Sequence, residues 1–231
     1  MALVIKDLKK SYGNLKVLDG VSFNVKDSEF VCVIGRSGCG KTTLLKIIAG
    51  IERADSGEII FDGRIGFVFQ EDRLLPWKTA LENVCFSLEL LGIKDYERAK
   101  KLLEFVGLKG FENYYPKQLS TGMRQRVAFA RALAIDPDLL LMDEPFANLD
   151  AQTREKMQEE LLKLVKDKTV VFVTHSIDEA IYLADKIIVL TPRPARVLKE
   201  IEIELEKPRD RTSKEFMKLK RDINLLLSNL A

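Results

Sequence analysis

The sequence predicts an α/β fold with a mixed sheet at its core, an N-terminal antiparallel β subdomain and an inserted α-helical subdomain. Three observations predict it. Residues 3–34 carry short apolar, β-branched runs parted by turn dipeptides. Residues 71–137 switch to apolar spacings of three and four. Residues 139–203 return to short apolar runs, several of them suited to strands covered on both faces. The whole chain, 1–231, is expected to form a single domain. The helical subdomain would occupy about 71–137, and a C-terminal helix about 212–230.

In order, β runs fall at 4–8, 17–18 and 21–25, with turns at Gly13-Asn14, Asp19-Gly20 and Asp27-Ser28. The run 30–34 is a buried strand, and 41–49 a helix with Leu44, Leu45, Ile47 and Ile48 on one face. Ser56-Gly57 and Asp62-Gly63 bracket a strand at 58–61, and a further strand at 65–69 ends at Gln70. Leu81, Val84, Cys85, Leu88 and Leu91 open the helical stretch, which continues at 94–106. The segment 127–134 is a helix of small residues suited to burial. A strand at 139–142, an amphipathic helix at 149–165 and strands at 169–173, 187–190 and 197–203 follow. In the tail, Phe216, Leu219, Ile223, Leu226, Leu227 and Leu230 form one stripe, expected to pack on its own domain, with a dimer or regulatory contact as the competing reading.

The 37 basic and 35 acidic residues are interspersed and leave a net charge of +2, so no nucleic-acid partner is expected. Cys32, Cys39 and Cys85 form no C-x-x-C pair, which fits a reducing cytosol. No signal peptide is expected at the N-terminus, and no apolar run reaches the roughly 20 residues that span a bilayer. A membrane role would come through a partner.

Gly35-Arg36-Ser37-Gly38-Cys39-Gly40-Lys41-Thr42 fits G-x-x-x-x-G-K-[ST], and Thr43 follows. A strand precedes this stretch and a helix follows it, the context that makes it a phosphate site. The glycines turn the backbone tightly and aim N–H groups at phosphate oxygens. The helix N-terminus adds partial positive charge. Lys41 can reach the β- and γ-phosphates, and the Thr42 hydroxyl can ligate Mg²⁺. The competing reading is a glycine-rich turn, but the pattern arises by chance in roughly one chain in a hundred of this size. A P-loop NTPase core binding a nucleoside triphosphate is therefore expected. Cys39 is either an oxidisable thiol or a small filler. Tyr12 precedes a turn, and stacking on a base and an ordinary strand-end role both fit it.

Phosphate transfer to water also needs a metal anchor and a group that orients the water. Leu139 to Met142 lead into Asp143 and Glu144, two carboxylates at a strand end. Asp143 would hold Mg²⁺ and Glu144 would polarise the water, against the simpler reading of an acidic pair capping a turn. His175, the only histidine, also follows a buried strand; a structural role is the commoner one for a lone histidine, but parallel topology could bring both strand ends to one edge.

The chain resembles the ATP-binding cassette (ABC) family over nearly its whole length. Leu119-Ser120-Thr121-Gly122-Met123-Arg124-Gln125-Arg126 is similar to the family signature, with Thr121 and Met123 where Gly and Gln are usual. Gln70 matches the Q-loop, Asn148-Leu149-Asp150 the D-loop, His175 the switch histidine and Tyr12 the aromatic that stacks on adenine. Ala147-Asn148 stands where Ser-Ala is common. The resemblance implies ATP and Mg²⁺ as ligands. It implies Glu144, His175 and Gln70 in catalysis and Thr42, Gln70 and Asp143 at the metal. Residues 35–43 and Tyr12 would hold ATP in one subunit, and Ser120, Thr121 and Gly122 would meet it from the other. Ser120 has the residue type of a helix N-cap, with Thr121 first in the helix.

Leu74-Leu75-Pro76-Trp77, the Gly122–Arg126 continuation and Thr191-Pro192-Arg193-Pro194-Ala195-Arg196 resemble importer ATPases of the nitrate/sulfonate/taurine type. A head-to-tail homodimer is implied, with integral-membrane permease subunits docked on the helical insertion and a solute-binding protein in the complex. The location implied is cytoplasmic, peripheral on the inner face of the cell membrane. The rival class is a soluble, non-transport ABC ATPase, but the long coiled coil, second cassette or basic arm usual there is not visible. Trp77 suits either a surface contact or the core.

Overall fold

Strands with no polar side can only be buried on both faces, and the apolar runs of this chain obey that constraint. The computed structural model describes residues 2–147 and 149–228. The chain divides into two units, Met1–Asp62 with Leu161–Ala231, and Gly63–Glu160.

In the first unit, β1 (Leu3–Tyr12) and β2 (Leu15–Val25) form a hairpin about Gly13-Asn14. Strand β4 (Ser56–Ile60) pairs antiparallel with the other edge of β1, giving the order β2-β1-β4. A second set runs β7-β3-β8-β9, built from β3 (Phe30–Ile34), β7 (Thr169–Thr174), β8 (Lys186–Leu190) and β9 (Val197–Glu202). The first three are parallel and β9 is antiparallel, so the set is mixed. Every residue of β3, β7 and β8 is buried. Helices α1 (Lys41–Ile48), α6 (Ile177–Leu183) and α7 (Lys214–Ser228) complete the unit.

The second unit holds the parallel pair β5 (Ile65–Val68) and β6 (Leu139–Asp143). Helices α2 (Ala80–Glu89), α3 (Tyr96–Phe105) and α4 (Thr121–Ala134) pack on one another there. A further helix, α5, spans Ala151–Leu164.

Several boundaries differ from the sequence reading, each for a physical reason. Asp19-Gly20 is not a turn but lies within β2, at a register irregularity opposite Leu8 and Lys9. Ser56-Gly57 lies within β4, where a Cβ on Gly57 would sit 2.5 Å from the Asp7 carbonyl oxygen, so glycine there serves close strand approach. The helical stretch breaks between Glu89 and Tyr96, and Leu91 is exposed beyond the end of α2. Helix α4, by contrast, begins at Thr121 with Ser120 as its cap, as the sequence predicts, and runs on into the small-residue segment 127–134. In α7, Phe216 and Ile223 are buried while Leu219, Leu226 and Leu227 are half-buried. Leu230 and the D-loop residue Asn148 lie outside the described residues. Among the described residues, no helix is long and apolar enough to cross a membrane.

Candidate active site

On the first unit, β3 is flanked by β7 and β8 in parallel register, Ile34 opposite Thr174 and Val189. Gly35 and His175 therefore leave their strands side by side, at the carboxyl edge where open α/β sheets bind ligands. The loop from Gly35 to Lys41 leaves no room for side chains at two of its glycines. A Cβ on Gly35 would lie 2.9 Å from Cys39 Sγ, and one on Gly40, at φ +121°, 2.8 Å from Val17 Cγ1. Arg36, Ser37 and Gly38 form the exposed crest of the loop.

Lys41 is only 5% exposed, and its ammonium donates to the carbonyls of Gly35 at 2.9 Å and Arg36 at 3.2 Å. These bonds curl the cation over the loop. Gly40 is the N-cap of α1 and offers no capping side chain, so the first-turn amides at Thr42 and Thr43 are positioned for an anion. Cys39 is buried, and burial pushes its thiol pKa up, which keeps it protonated and supports the filler reading.

Tyr12, the last residue of β1, bonds to Thr43 and donates its hydroxyl to Glu52. Its ring is half exposed, with Lys10 Nζ 5.2 Å from the centroid. Burial, then the Glu52 hydrogen bond, raises its phenol pKa. An aromatic face thus stands beside the first turn of α1. Exposed His175 is followed by Ser176, the N-cap of α6. Thr174 Oγ1 donates to Glu179 Oε2 at 2.5 Å and accepts from the Ser176 N–H at 3.0 Å, which fixes the backbone on both sides of the histidine.

On the second unit, Val68 pairs with Met142, so Gln70 and Glu144 lie two residues beyond the same rung of the β5–β6 ladder. Asp143 is buried at the end of β6, and Glu144, half-buried, adopts φ +46°, a left-handed conformation that glutamate rarely takes. Gln125 Nε2 donates to the Phe69 carbonyl at 3.1 Å and pins the residue before Gln70. Arg124 Nε donates to Asp72 Oδ2 at 2.8 Å, and Arg131 donates to the carbonyls of Asp72 and Arg73.

Helix α4 starts at the signature-like stretch. Ser120 Oγ accepts from the Met123 N–H at 3.2 Å, and Thr121 Oγ1 accepts from Arg124 Nη2 at 3.2 Å. A Cβ on Gly122 would stand 3.1 Å from Leu149 Cδ2, so glycine at this position makes room for a buried leucine of its own unit.

The phosphate-type loop, Tyr12 and His175 therefore lie on the first unit, and Gln70, Ser120, Thr121, Gly122, Asp143 and Glu144 on the second. Sequence reasoning missed Glu52, which no motif marks. It also assigned no role to Arg193, whose Nη2 lies 3.5 Å from the Cβ position of Gly38. The signal for Arg193 was the Thr191–Arg196 stretch itself.

A family model described as ABC transporter matches residues 18–147. An uncharacterized ABC transporter ATP-binding protein of Methanocaldococcus jannaschii is 51% identical, over 98% of this chain and 91% of its own. The aliphatic sulfonates import ATP-binding protein SsuB of Bacillus thuringiensis subsp. konkukian is 47% identical, over 94% of this chain and 90% of its own. The taurine import ATP-binding protein TauB of Rhizobium johnstonii is 49% identical, over 84% and 79% respectively. A solved dimer of an ATP-binding cassette in a post-hydrolysis state, bound to ADP and Pi, superposes with a TM-score of 0.79 at 36% identity, over 88% of this chain and all of that one. On the loop and strand ends described above and on matches of this extent, the chain belongs to the ABC transporter family.

Proposed function

We propose that the chain is the ATP-hydrolysing subunit of an ABC importer, taking a sulfonate- or taurine-like solute through a membrane permease. The observation that carries the reading is buried Lys41, curled over a glycine loop at the uncapped N-terminus of α1. Loop N–H groups and Lys41 hold the β- and γ-phosphates, and Tyr12 offers a face to the adenine. Glu144 polarises the attacking water, while His175 and Gln70 act at the γ-phosphate. Ser120, Thr121 and Gly122 serve the nucleotide of a second copy in a head-to-tail homodimer, through the N-terminal amides of α4.

Among the described residues no group of three or more His, Cys, Asp or Glu could hold a metal alone. Hydroxyl, amide and carboxylate oxygens on Thr42, Gln70 and Asp143 instead suit Mg²⁺, which keeps waters and takes phosphate oxygens as ligands. Bound there, Mg²⁺ would neutralise developing charge on the phosphates. Residues at about 71–137 form the helical subdomain of a single cassette domain and dock the permease at the inner face of the membrane, with a solute-binding protein in the complex. The import names of the relatives favour this over a soluble non-transport ATPase.

Two variants test the reading. Lys41→Ala removes a charge-assisted contact and is expected to weaken ATP binding by roughly 10- to 100-fold. Retained affinity in a nucleotide titration overturns the phosphate role of Lys41. Glu144→Gln keeps the shape and loses the basic oxygen. Turnover is expected to fall by roughly 10²- to 10⁴-fold with ATP still bound, and a dimer to accumulate on size exclusion with ATP and Mg²⁺. Wild-type turnover, or a monomer under those conditions, counts against Glu144 as the base.

A further inference from the structure

The connection between β8 and β9, Thr191-Pro192-Arg193-Pro194-Ala195-Arg196, has no part in the reading above. It is firmly built. The Thr191 N–H donates to the Arg196 carbonyl at 3.0 Å, and the Arg196 N–H to Thr191 Oγ1 at 2.9 Å. Buried Ala195 is stitched to β2, its N–H on the Val17 carbonyl at 2.8 Å and its carbonyl accepting from the Asp19 N–H at 2.9 Å. Arg196 ion-pairs with Asp19 and draws its carboxyl below the usual range. Val17 is also the residue packed under Gly40, so one segment of β2 holds this connection and the phosphate loop together.

The two arginines of the connection are used differently. Arg196 is anchored. Arg193, flanked by prolines that restrict its backbone, is exposed and makes no hydrogen bond or ion pair among the described residues. Its Nη2 stands 3.5 Å from the Cβ position of Gly38, at the crest of the loop. Its field reaches the loop interior, where burial raises the Cys39 thiol and Lys41 and Arg193 pull it back. Among the described residues this positive charge, held against a loop suited to anions, has no acidic partner.

We propose that Arg193 is a second nucleotide-binding cation beside Lys41, facing the polyphosphate from the loop crest. The proposal rests on the ATP reading. Coulomb attraction grows with ligand charge and is screened by salt at an exposed group, so Arg193 favours ATP over ADP, and more so at low ionic strength.

Calorimetric titration of ATP and ADP into the full chain, at low and moderate salt, tests it on wild type, Lys41→Ala, Arg193→Ala and Arg193→Lys. Arg193→Ala is expected to weaken ATP roughly three- to tenfold, and ADP less, with a flatter salt dependence. Arg193→Lys is expected to regain most of the loss. Wild-type ATP affinity in Arg193→Ala at low salt overturns the proposal. So does an equal loss for ATP and ADP without rescue by lysine, which marks a structural role. Unchanged affinity with slowed turnover also overturns it and places Arg193 at the contact between copies. A wild-type chain that binds no ATP overturns the function reading itself, a result distinct from any of these.

Discussion

At Thr121 the side chain turns back along α4 and is engaged by Arg124, which Asp72 and the Leu119 carbonyl hold in turn. The Thr121 and Gly122 amides at the start of the helix are untouched by this arrangement, since Ser120 Oγ takes only the Met123 N–H. Thr121→Gly therefore removes one hydrogen bond between exposed groups, about 0.5–1.5 kcal/mol. Turnover is expected to change by less than about tenfold, roughly 1.4 kcal/mol of barrier. A larger loss in steady-state ATPase rate would mean that the threonine side chain itself serves the reaction. That Ser120 caps a helix beginning at Thr121 was legible in the sequence, because capping depends on neighbours in the chain. The reason for Gly122 was not. A Cβ there would meet Leu149 Cδ2 at 3.1 Å, a contact between distant parts of the chain that no local pattern encodes. Nor does the run Leu-Leu-Leu-Met-Asp-Glu mark Glu144 as left-handed.

Elements whose both faces are buried were the most legible, because burial imposes composition without tertiary information: β3 matches its apolar run end to end. Helix α6 was missed. Its seven residues are too few for a periodic stripe, although its Ser176-x-x-Glu179 start was a visible capping signal, and Ser176 does cap the helix. Strand β8 hides another feature, since its first residue is a buried lysine. Lys186 Nζ lies 3.5 Å from Glu29 Oε2, both side chains buried, and donates to the Asn24 carbonyl at 2.7 Å. Removing one partner strands the other charge, while removing both can be nearly neutral. Lys186→Met is expected to cost about 3–5 kcal/mol in urea unfolding. Lys186→Met with Glu29→Leu is expected to recover most of that loss. A single variant as stable as the double would show that Glu29 does not depend on Lys186.

Across the whole molecule, what the sequence left open was which apolar side chains face water. Trp77 is the sharpest case, being the only tryptophan and 69% exposed. The cause lies in a buried polar residue. Asn83, 0% exposed, accepts from the Leu75 N–H at 2.8 Å and donates from Nδ2 to the carbonyls of Leu75, Lys78 and Thr79. This clamp closes the turn through Pro76 and holds Trp77 outside it. An asparagine within an apolar helical face gave no such hint in the sequence, since its partners precede the helix. Leu90, Leu91 and Ile93 of the same unit are exposed as well. Surface of this kind is what a permease-docking subunit would keep free until assembly. Because Trp77 is alone, tryptophan emission reports this one site. In the isolated, monomeric chain it is expected to emit as a solvated indole and to be quenched readily by acrylamide. Asn83→Ala should shift that emission by loosening the turn. In the assembled transporter the same emission is expected to be shielded if this surface meets the permease. Blue-shifted, quencher-resistant emission from the monomer would mean that the turn folds inward in solution, and Trp77 would be lost as a reporter of the partner surface.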